Sequence, residues 1–409
     1  MRSFRLYSNI PALPGNKIWA EIDEKALINN YALLCEKTPD VKHICVVKAD
    51  SYGHASAICV SALLDAGCDF FAVSCIEEAI EVRRLCSIRN TDAKVLILGY
   101  TDPRYVRQLA EYNVIQTVVD EDHAKALEDA ARLEDCKVQV HIALDTGMNR
   151  IGLCARNEKE CEAAVEAVKR LVKSSNLAVE GMFTHFAKAD EEDSAVFAPD
   201  SATKAQFELF KTVRNALKDS GIKLFCHVCN SAAAVRFPEF ALDGVRLGIL
   251  LYGVRPSSEM TAETKPVMSL RTVISHVHPL AAGDKVSYGG KYEADSDKTI
   301  ATLPIGINRF LNSDCCCRRN HIFKFRQNLF AVHIRNLFIR KCNLTHIITD
   351  KRLVNSYCFQ ISGHKQKAID RRRLILKLRI NHSCINMSNK RLALHQGFQF
   401  LICFYCCIT

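Results

Sequence analysis

Eight short apolar runs alternate with amphipathic stretches between residues 44 and 253, and this alternation predicts an α/β protein, a (β/α)8 TIM-type barrel. The runs are Ile44–Ala49, Phe70–Ser74, Lys94–Gly99, Val114–Val119, Val138–Asp145, Val179–His185, Leu224–Asn230 and Val245–Tyr252. Strands separated by helices imply right-handed parallel crossovers, and eight of them can close on themselves. A second observation agrees: Lys48, His185, Asn230 and Ser231 fall at the ends of the first, sixth and seventh runs, where a barrel exposes its chemistry. The third is a change of period after Gly253. Val273, Ser275, Val277 and Thr299, Ala301, Leu303 alternate about the turn Ala282-Gly283-Asp284, as antiparallel strands do. The expected division is an N-terminal extension over 1–17, the barrel over 18–255, a partial, mostly β domain over 256–307, and an unassigned basic, Cys-rich tail over 308–409.

Among the intervening helices, Cys161, Ala164, Val165, Val168, Leu171 and Val172 recur with the spacing of a single buried face. The chain has 409 residues, 48% of them apolar, the composition of a globular protein with a sizeable core. Without a run of about eighteen apolar residues, no membrane span is expected. Residues 1–17 carry two arginines and no acid but lack the apolar stretch of a secretory signal. A cytoplasmic chain with an untargeted N-terminus is the expectation, and a short organelle-targeting segment the alternative.

The net charge of +10 is unevenly placed: residues 309–409 hold 19 of the 55 Lys+Arg and 3 of the 45 acids, leaving the preceding 308 residues net acidic. Arg371-Arg372-Arg373 has no interleaved aromatic residues, so nucleic acid is not an expected partner. The same stretch holds 9 of the 20 cysteines, no Pro and no Glu. Cys403-Phe404-Tyr405-Cys406 is a lone C-x-x-C without a second pair, which argues against a metal site. Cys406-Cys407-Ile408-Thr409 has the form of a prenylation box with an unfavoured last residue. The other 11 cysteines are scattered, as in a reducing compartment.

The chemistry begins at Val46-Val47-Lys48-Ala49-Asp50-Ser51-Tyr52-Gly53-His54, a lysine at the end of a strand. Burial lowers the pKa of such a lysine and lets it hold an aldehyde cofactor as a Schiff base; a solvated surface charge is the alternative. Lys-Ala-Asp-x-Tyr-Gly-His resembles the cofactor-lysine signature of alanine racemases, and the resemblance continues in order over roughly residues 18 to 307. It implies pyridoxal 5'-phosphate as cofactor, alanine as substrate, and a barrel with an appended β-domain to which Trp19-Ala20-Glu21-Ile22 would pair.

Asp145-Thr146-Gly147-Met148-Asn149-Arg150-Ile151-Gly152 follows the fifth run, and the planar fork of Arg150 suits a carboxylate or the cofactor's phenolic oxygen. A helix-capping loop with a surface arginine is the plainer reading. In the family a modified lysine upstream often buttresses this arginine; here that position is Ala143. Thr184-His185-Phe186-Ala187 resembles the segment whose histidine faces the cofactor ring, against a core histidine satisfied by a carbonyl. Asn230, Ser231, Gly248, Ile249 and Tyr52 together suit a phosphate monoester, although a serine before a helix is also an ordinary N-cap. Arg246 lies inside the eighth run and must point into the lumen. Most pyridoxal enzymes set a carboxylate against the ring nitrogen; an arginine cannot accept that proton, which favours reprotonation at Cα over transamination.

Val286-Ser287-Tyr288-Gly289-Gly290 resembles the segment that supplies the second base, Tyr288, to the partner subunit's site, and so implies a homodimer. A hairpin tyrosine is the reading without the resemblance. After Leu303-Pro304-Ile305-Gly306 the resemblance stops, and the tail reads as a frame change, retained non-coding sequence or a gene-model error. Losing most of the β-domain would expose strand edges and remove the dimer surface. The expected function is thus a two-base alanine racemase with Lys48 and Tyr288 as bases. A non-catalytic pyridoxal-phosphate-binding barrel, or an inactive truncated racemase, is the alternative.

Overall fold

The computed structural model describes residues 18–303, apart from 192, 258–259, 261–262, 287–289 and 291, together with two strands at 357–361 and 375–378. They form two compact units, one over 24–267 and the other from 18–23 and residues from 268 onward. β1 (Ile18–Ile22) belongs to the smaller unit, so the barrel unit starts with the helix Glu24–Lys37 rather than at residue 18.

Eight parallel strands make the barrel: β2 (Lys42–Val46), β3 (Phe70–Val73), β4 (Lys94–Ile97), β5 (Ile115–Val118), β6 (Val138–Asp145), then, after the two-residue β7 (Leu153–Cys154), β8 (Leu177–Phe183), β9 (Phe225–His227) and β10 (Gly244–Leu247). Each pairs with its neighbour, β10 returns to β2, and the β5–β6 pairing completes the ring. The unforeseen β7 adds to the far end of β6 through Leu144 and Asp145. Helices cover the outside with ordinary local signals. Asp120 caps Glu121–Leu133 and Asn157 caps Glu158–Leu171, the latter with acids in its first turn and Lys169 and Arg170 in its last.

Several strands end earlier than the sequence reading, and four of these ends bear on the site; β9 stops at His227, so Asn230 and Ser231 lie beyond it and not at a strand end. β2 stops at Val46, so Lys48 does not end a strand; it opens a turn in which Ala49, Asp50, Ser51 and Tyr52 all have φ between 51° and 56°. Four consecutive L-residues in the left-handed region reverse the chain at once, where a strand would have run on. β10 stops at Leu247, because Gly248 (φ −115°, ψ −112°) turns the chain into a 3-10 turn at Ile249–Tyr252. β8 likewise ends at Phe183, two residues before His185.

Ile44, Val46, Phe70, Ala72, Leu96 and Ile115 form an apolar cluster against which Tyr52, Leu98 and Phe225 pack. Beside this cluster lie polar rings: His141 Nδ1 lies 3.0 Å from His227 Nε2, and a Cβ on Gly181 would sit 2.6 Å from the His141 ring, which is why that strand residue has no side chain. No helix among the described residues is long and apolar enough to cross a membrane.

In the smaller unit β1 pairs antiparallel with β11 (Met268–Val273), and Arg271 bridges Glu21 at 2.8 Å. β12 (His276–Leu280) and β13 (Lys285–Val286) follow; β13 pairs with β14 (Tyr292–Glu293), and β12 with β15 (Lys298–Leu303). Leu280, Val286, Ala294 and Ile300 form its small core. Two strands from the unassigned tail, β16 (Tyr357–Ile361) and β17 (Ile375–Leu378), pair with β15 and β11.

Candidate active site

The left-handed turn brings Lys48 and Tyr52 to the mouth of the barrel. It is tied down by bonds that the local sequence does not reveal. Glu78, the third residue of the helix Ile76–Ile88, accepts the Ala49 N–H at 2.8 Å through one oxygen and the Ser74 N–H at 2.8 Å through the other. Asp50 accepts the Ser56 N–H at 2.6 Å and thereby starts the next helix. The Tyr52 ring packs against Tyr252 at 5.0 Å, and the Tyr252 hydroxyl donates to the Val46 carbonyl at 3.0 Å.

Opposite this turn, the loop after β9 and the 3-10 turn after β10 meet. Asn230 is the N-cap of Ser231–Arg236, accepting the Ala233 N–H at 3.0 Å; Ser231 is free of that duty and its buried hydroxyl accepts the Gly248 N–H at 2.6 Å. A Cβ built on Gly248 would lie 2.7 Å from the Tyr52 hydroxyl and 3.6 Å from the Ser231 hydroxyl. Three polar groups therefore converge on a space that even a methyl group would fill. Ile249 follows directly as the first residue of its turn.

Arg246 is buried to 3% exposure in β10, its side chain in the lumen. Its guanidinium donates to the carbonyls of His227 (2.6 Å), Thr184 (2.8 Å) and Val228 (3.1 Å) and to Nδ1 of His227 (2.8 Å) and His185 (3.3 Å). Burial, with Arg150 pushing the same way, lowers it to about 10, so it stays cationic at neutral pH. Because a guanidinium only donates, it sets the tautomers. Nδ1 of both His185 and His227 must accept, and His227 Nε2 must carry the hydrogen it gives to His141 Nδ1.

His185, two residues beyond β8, is held well below the usual imidazole range by burial first and then by the charges of Arg246, Arg150 and Lys48. One imidazole thus feels all three cations that the sequence singles out. His227 is lowered well below by burial, Arg246 and His141, and His141 falls to about 3 through burial and Lys94. These rings are neutral when folded and must remain so. Their contribution to stability is fully present above the unfolded value of about 6.5 and is lost as pH falls from there toward the folded values. Equilibrium urea unfolding from about pH 7.5 down to about 5.5 should show a steadily falling midpoint, on the order of 1.4 kcal/mol per pH unit per fully uncharged ring. A midpoint that is flat or rises over that range would contradict the buried neutral column.

Arg150 lies exposed at the end of the loop after β6, whose Asp145 accepts the Gly147 and Asn149 N–H groups at 3.0 and 2.9 Å. Ala143 is buried within β6. Tyr288 lies outside the described residues. The residues that the sequence reading missed are the supports: Glu78, His227, His141, and Gln206 beneath the Arg150 and His185 loops. The one signal available for Gln206 was a polar residue among the apolar positions of a helix.

The barrel thus sets a lysine just past its first strand and gathers cations about a neutral imidazole at its mouth. Residues 22–256 match the family described as "Alanine racemase, N-terminal domain", and residues 267–312 match "Alanine racemase, C-terminal domain". The alanine racemase of Clostridium tetani is 39% identical over 293 residues, 71% of this chain and 72% of that protein. Alanine racemase 1 of Clostridium acetobutylicum is 37% identical over 295 residues, again 71% and 72%. Among solved structures, the alanine racemase of Clostridium difficile 630 superposes with a TM-score of 0.71 at 26% identity, covering 97% of this chain and 93% of that one. The Bacillus anthracis alanine racemase with bound L-Ala-P gives 0.67 at 26%, covering 95% and 89%. The chain belongs to the alanine racemase family, whose members are pyridoxal-phosphate-dependent amino-acid racemases.

Proposed function

We propose that this chain binds pyridoxal 5'-phosphate and interconverts L- and D-alanine. The observation that carries the proposal is Arg246, a buried cation that donates to carbonyls and neutral imidazoles and lies over the Phe183 ring. The fit to the cofactor rests on the cradle formed by Tyr52, Ser231 and Gly248, which has room for nothing on the glycine. Tyr52, Asn230, Ser231, Gly248 and Ile249 would hold the phosphate, Lys48 the aldehyde, and His185 and Arg246 the ring.

Bound there, pyridoxal phosphate supplies an electron-withdrawing ring that acidifies the Cα–H of an attached amino acid. Arg246 cannot take a proton, so set against the ring nitrogen it would disfavour protonation there and favour return of the proton to Cα. Arg150 orients the substrate carboxylate through its fork. Lys48 moves a proton at one face of Cα, and Tyr288 moves one at the other. By family resemblance Tyr288 comes from the β-domain of a partner subunit, so the active form is a homodimer, and the site is cytoplasmic.

The test is D-alanine formation by purified protein supplied with pyridoxal phosphate and L-alanine, with L-serine run alongside. Enantiomers have equal free energies, so the expected course is an approach to equal amounts of the two alanines from either side, faster than for serine. Cofactor uptake with no D-alanine would replace the proposal by a non-catalytic pyridoxal-phosphate-binding barrel.

A further inference from the structure

We propose that Gln206 is the positioning residue that fixes the loops carrying Arg150 and His185 relative to one another; the meaning of those loops rests on the function proposed above. The helix Ala202–Asp219 buries Thr203, Gln206, Phe207, Phe210, Val213 and Leu217, one stripe at helical spacing. Gln206 is thus an amide, 3% exposed, among residues that otherwise pack by shape. Burying an amide is costly unless its donors and acceptor are all used.

They are all used, on two different loops. Its Oε1 accepts the Ala187 N–H at 2.9 Å, and its Nε2 donates to the His185 carbonyl at 3.1 Å and to the Thr146 hydroxyl at 3.2 Å. A backbone N–H can only donate and a carbonyl only accept, so the orientation of the amide is fixed by its partners. Thr146 in turn meets the Thr184 hydroxyl at 2.7 Å, and the Thr184 carbonyl is one of the acceptors of Arg246. Above Thr146, the two amides gathered by Asp145 make the loop up to Arg150 move as one piece. The Gln206 side chain also lies 3.5 Å from where a Cβ on Gly147 would be, so it supports the loop by contact as well as by hydrogen bonds. Together with the Thr146–Thr184 hydroxyl contact, this amide links the position of one loop to the other, and it reaches the backbone at both His185 and Ala187.

The experiment compares wild type with Gln206→Met, which keeps the volume and loses every bond, and Gln206→Glu, which keeps the acceptor for Ala187 but sets an oxygen against the His185 carbonyl. Amide hydrogen exchange of the full chain without added cofactor is the first readout. For Gln206→Met, exchange should rise about tenfold or more in residues 146–150 and 184–187 together; for Gln206→Glu the Ala187 amide should stay protected while residues 146–150 loosen. In the loaded enzyme both variants should lose about tenfold to a hundredfold in kcat, with a smaller loss of cofactor affinity, because Lys48, Tyr52, Ser231 and Gly248 lie on other elements while His185 lies on the loosened loop. Exchange that rises only along the helix 202–219, or a kcat unchanged in either variant, would overturn the proposal. Should the methionine variant fail to fold, the glutamate variant carries the same comparison. Should wild type form no D-alanine, the function proposed above fails, and the exchange pattern alone decides the coupling of the loops.

Discussion

Lys48→Ala is expected to abolish racemisation, by at least about a thousandfold, while leaving the fold intact. The loss combines two roles in one side chain: covalent hold on the cofactor, and proton transfer at Cα, which by itself contributes on the order of a hundredfold to ten-thousandfold. The fold survives because Lys48 is only half-buried and the turn it opens is anchored by the Ala49 N–H on Glu78 and by Asp50 on the Ser56 N–H. Absorbance spectroscopy of protein mixed with pyridoxal phosphate, together with the D-alanine assay, checks this. The visible band of the attached cofactor should be present in wild type and missing in the variant. A variant that keeps both the band and the turnover would remove Lys48 from the site.

Arg246→Met should have the largest effect on stability of any single change considered. The side chain satisfies three carbonyls and two imidazole nitrogens in a buried lumen, and methionine leaves them without donors. Each unsatisfied buried group costs about 1–3 kcal/mol, and breaking such a network about 3–5 kcal/mol in all. For a unit of this size that is a fall of roughly 10 °C in the midpoint of thermal unfolding. His185 and His227 should also titrate higher, because the guanidinium charge that holds them down is gone. Arg246→Lys restores charge without the fork, so it should recover only part of the midpoint. Thermal melts of the three proteins without cofactor decide the point; a methionine variant within about 1 °C of wild type would mean that the network contributes little.

The eight strands were legible because burial on both faces makes continuous apolar runs and the crossovers between them have helical spacing. The register of Arg246 was legible from strand parity alone, and the pairing of Trp19–Ile22 with the β-domain from the resemblance. The path at Lys48 was not. Ala49, Asp50, Ser51 and Tyr52 contain no glycine to announce positive φ, and their conformation is held by contacts with Glu78 and Tyr252, distant in sequence, and with Ser56 at the start of the next helix. The supports of the site were invisible for the same reason. Gln206 and His227 read as ordinary helix and strand residues until the elements that they connect are placed side by side.

The left-handed turn after Lys48 also sets an order of events. Each of its four L-residues costs about 1–2 kcal/mol relative to the right-handed alternative, so a free chain does not dwell in this shape. The contacts that hold it come from Ser74 and the helix bearing Glu78, so the turn is expected to form only after those elements dock against β2, which hydrogen exchange during refolding would check. A newly made chain would therefore display the lysine but not the pocket. Under the proposed function, uptake of the aldehyde would then report on assembly: only a chain whose barrel has closed around that turn would hold the cofactor.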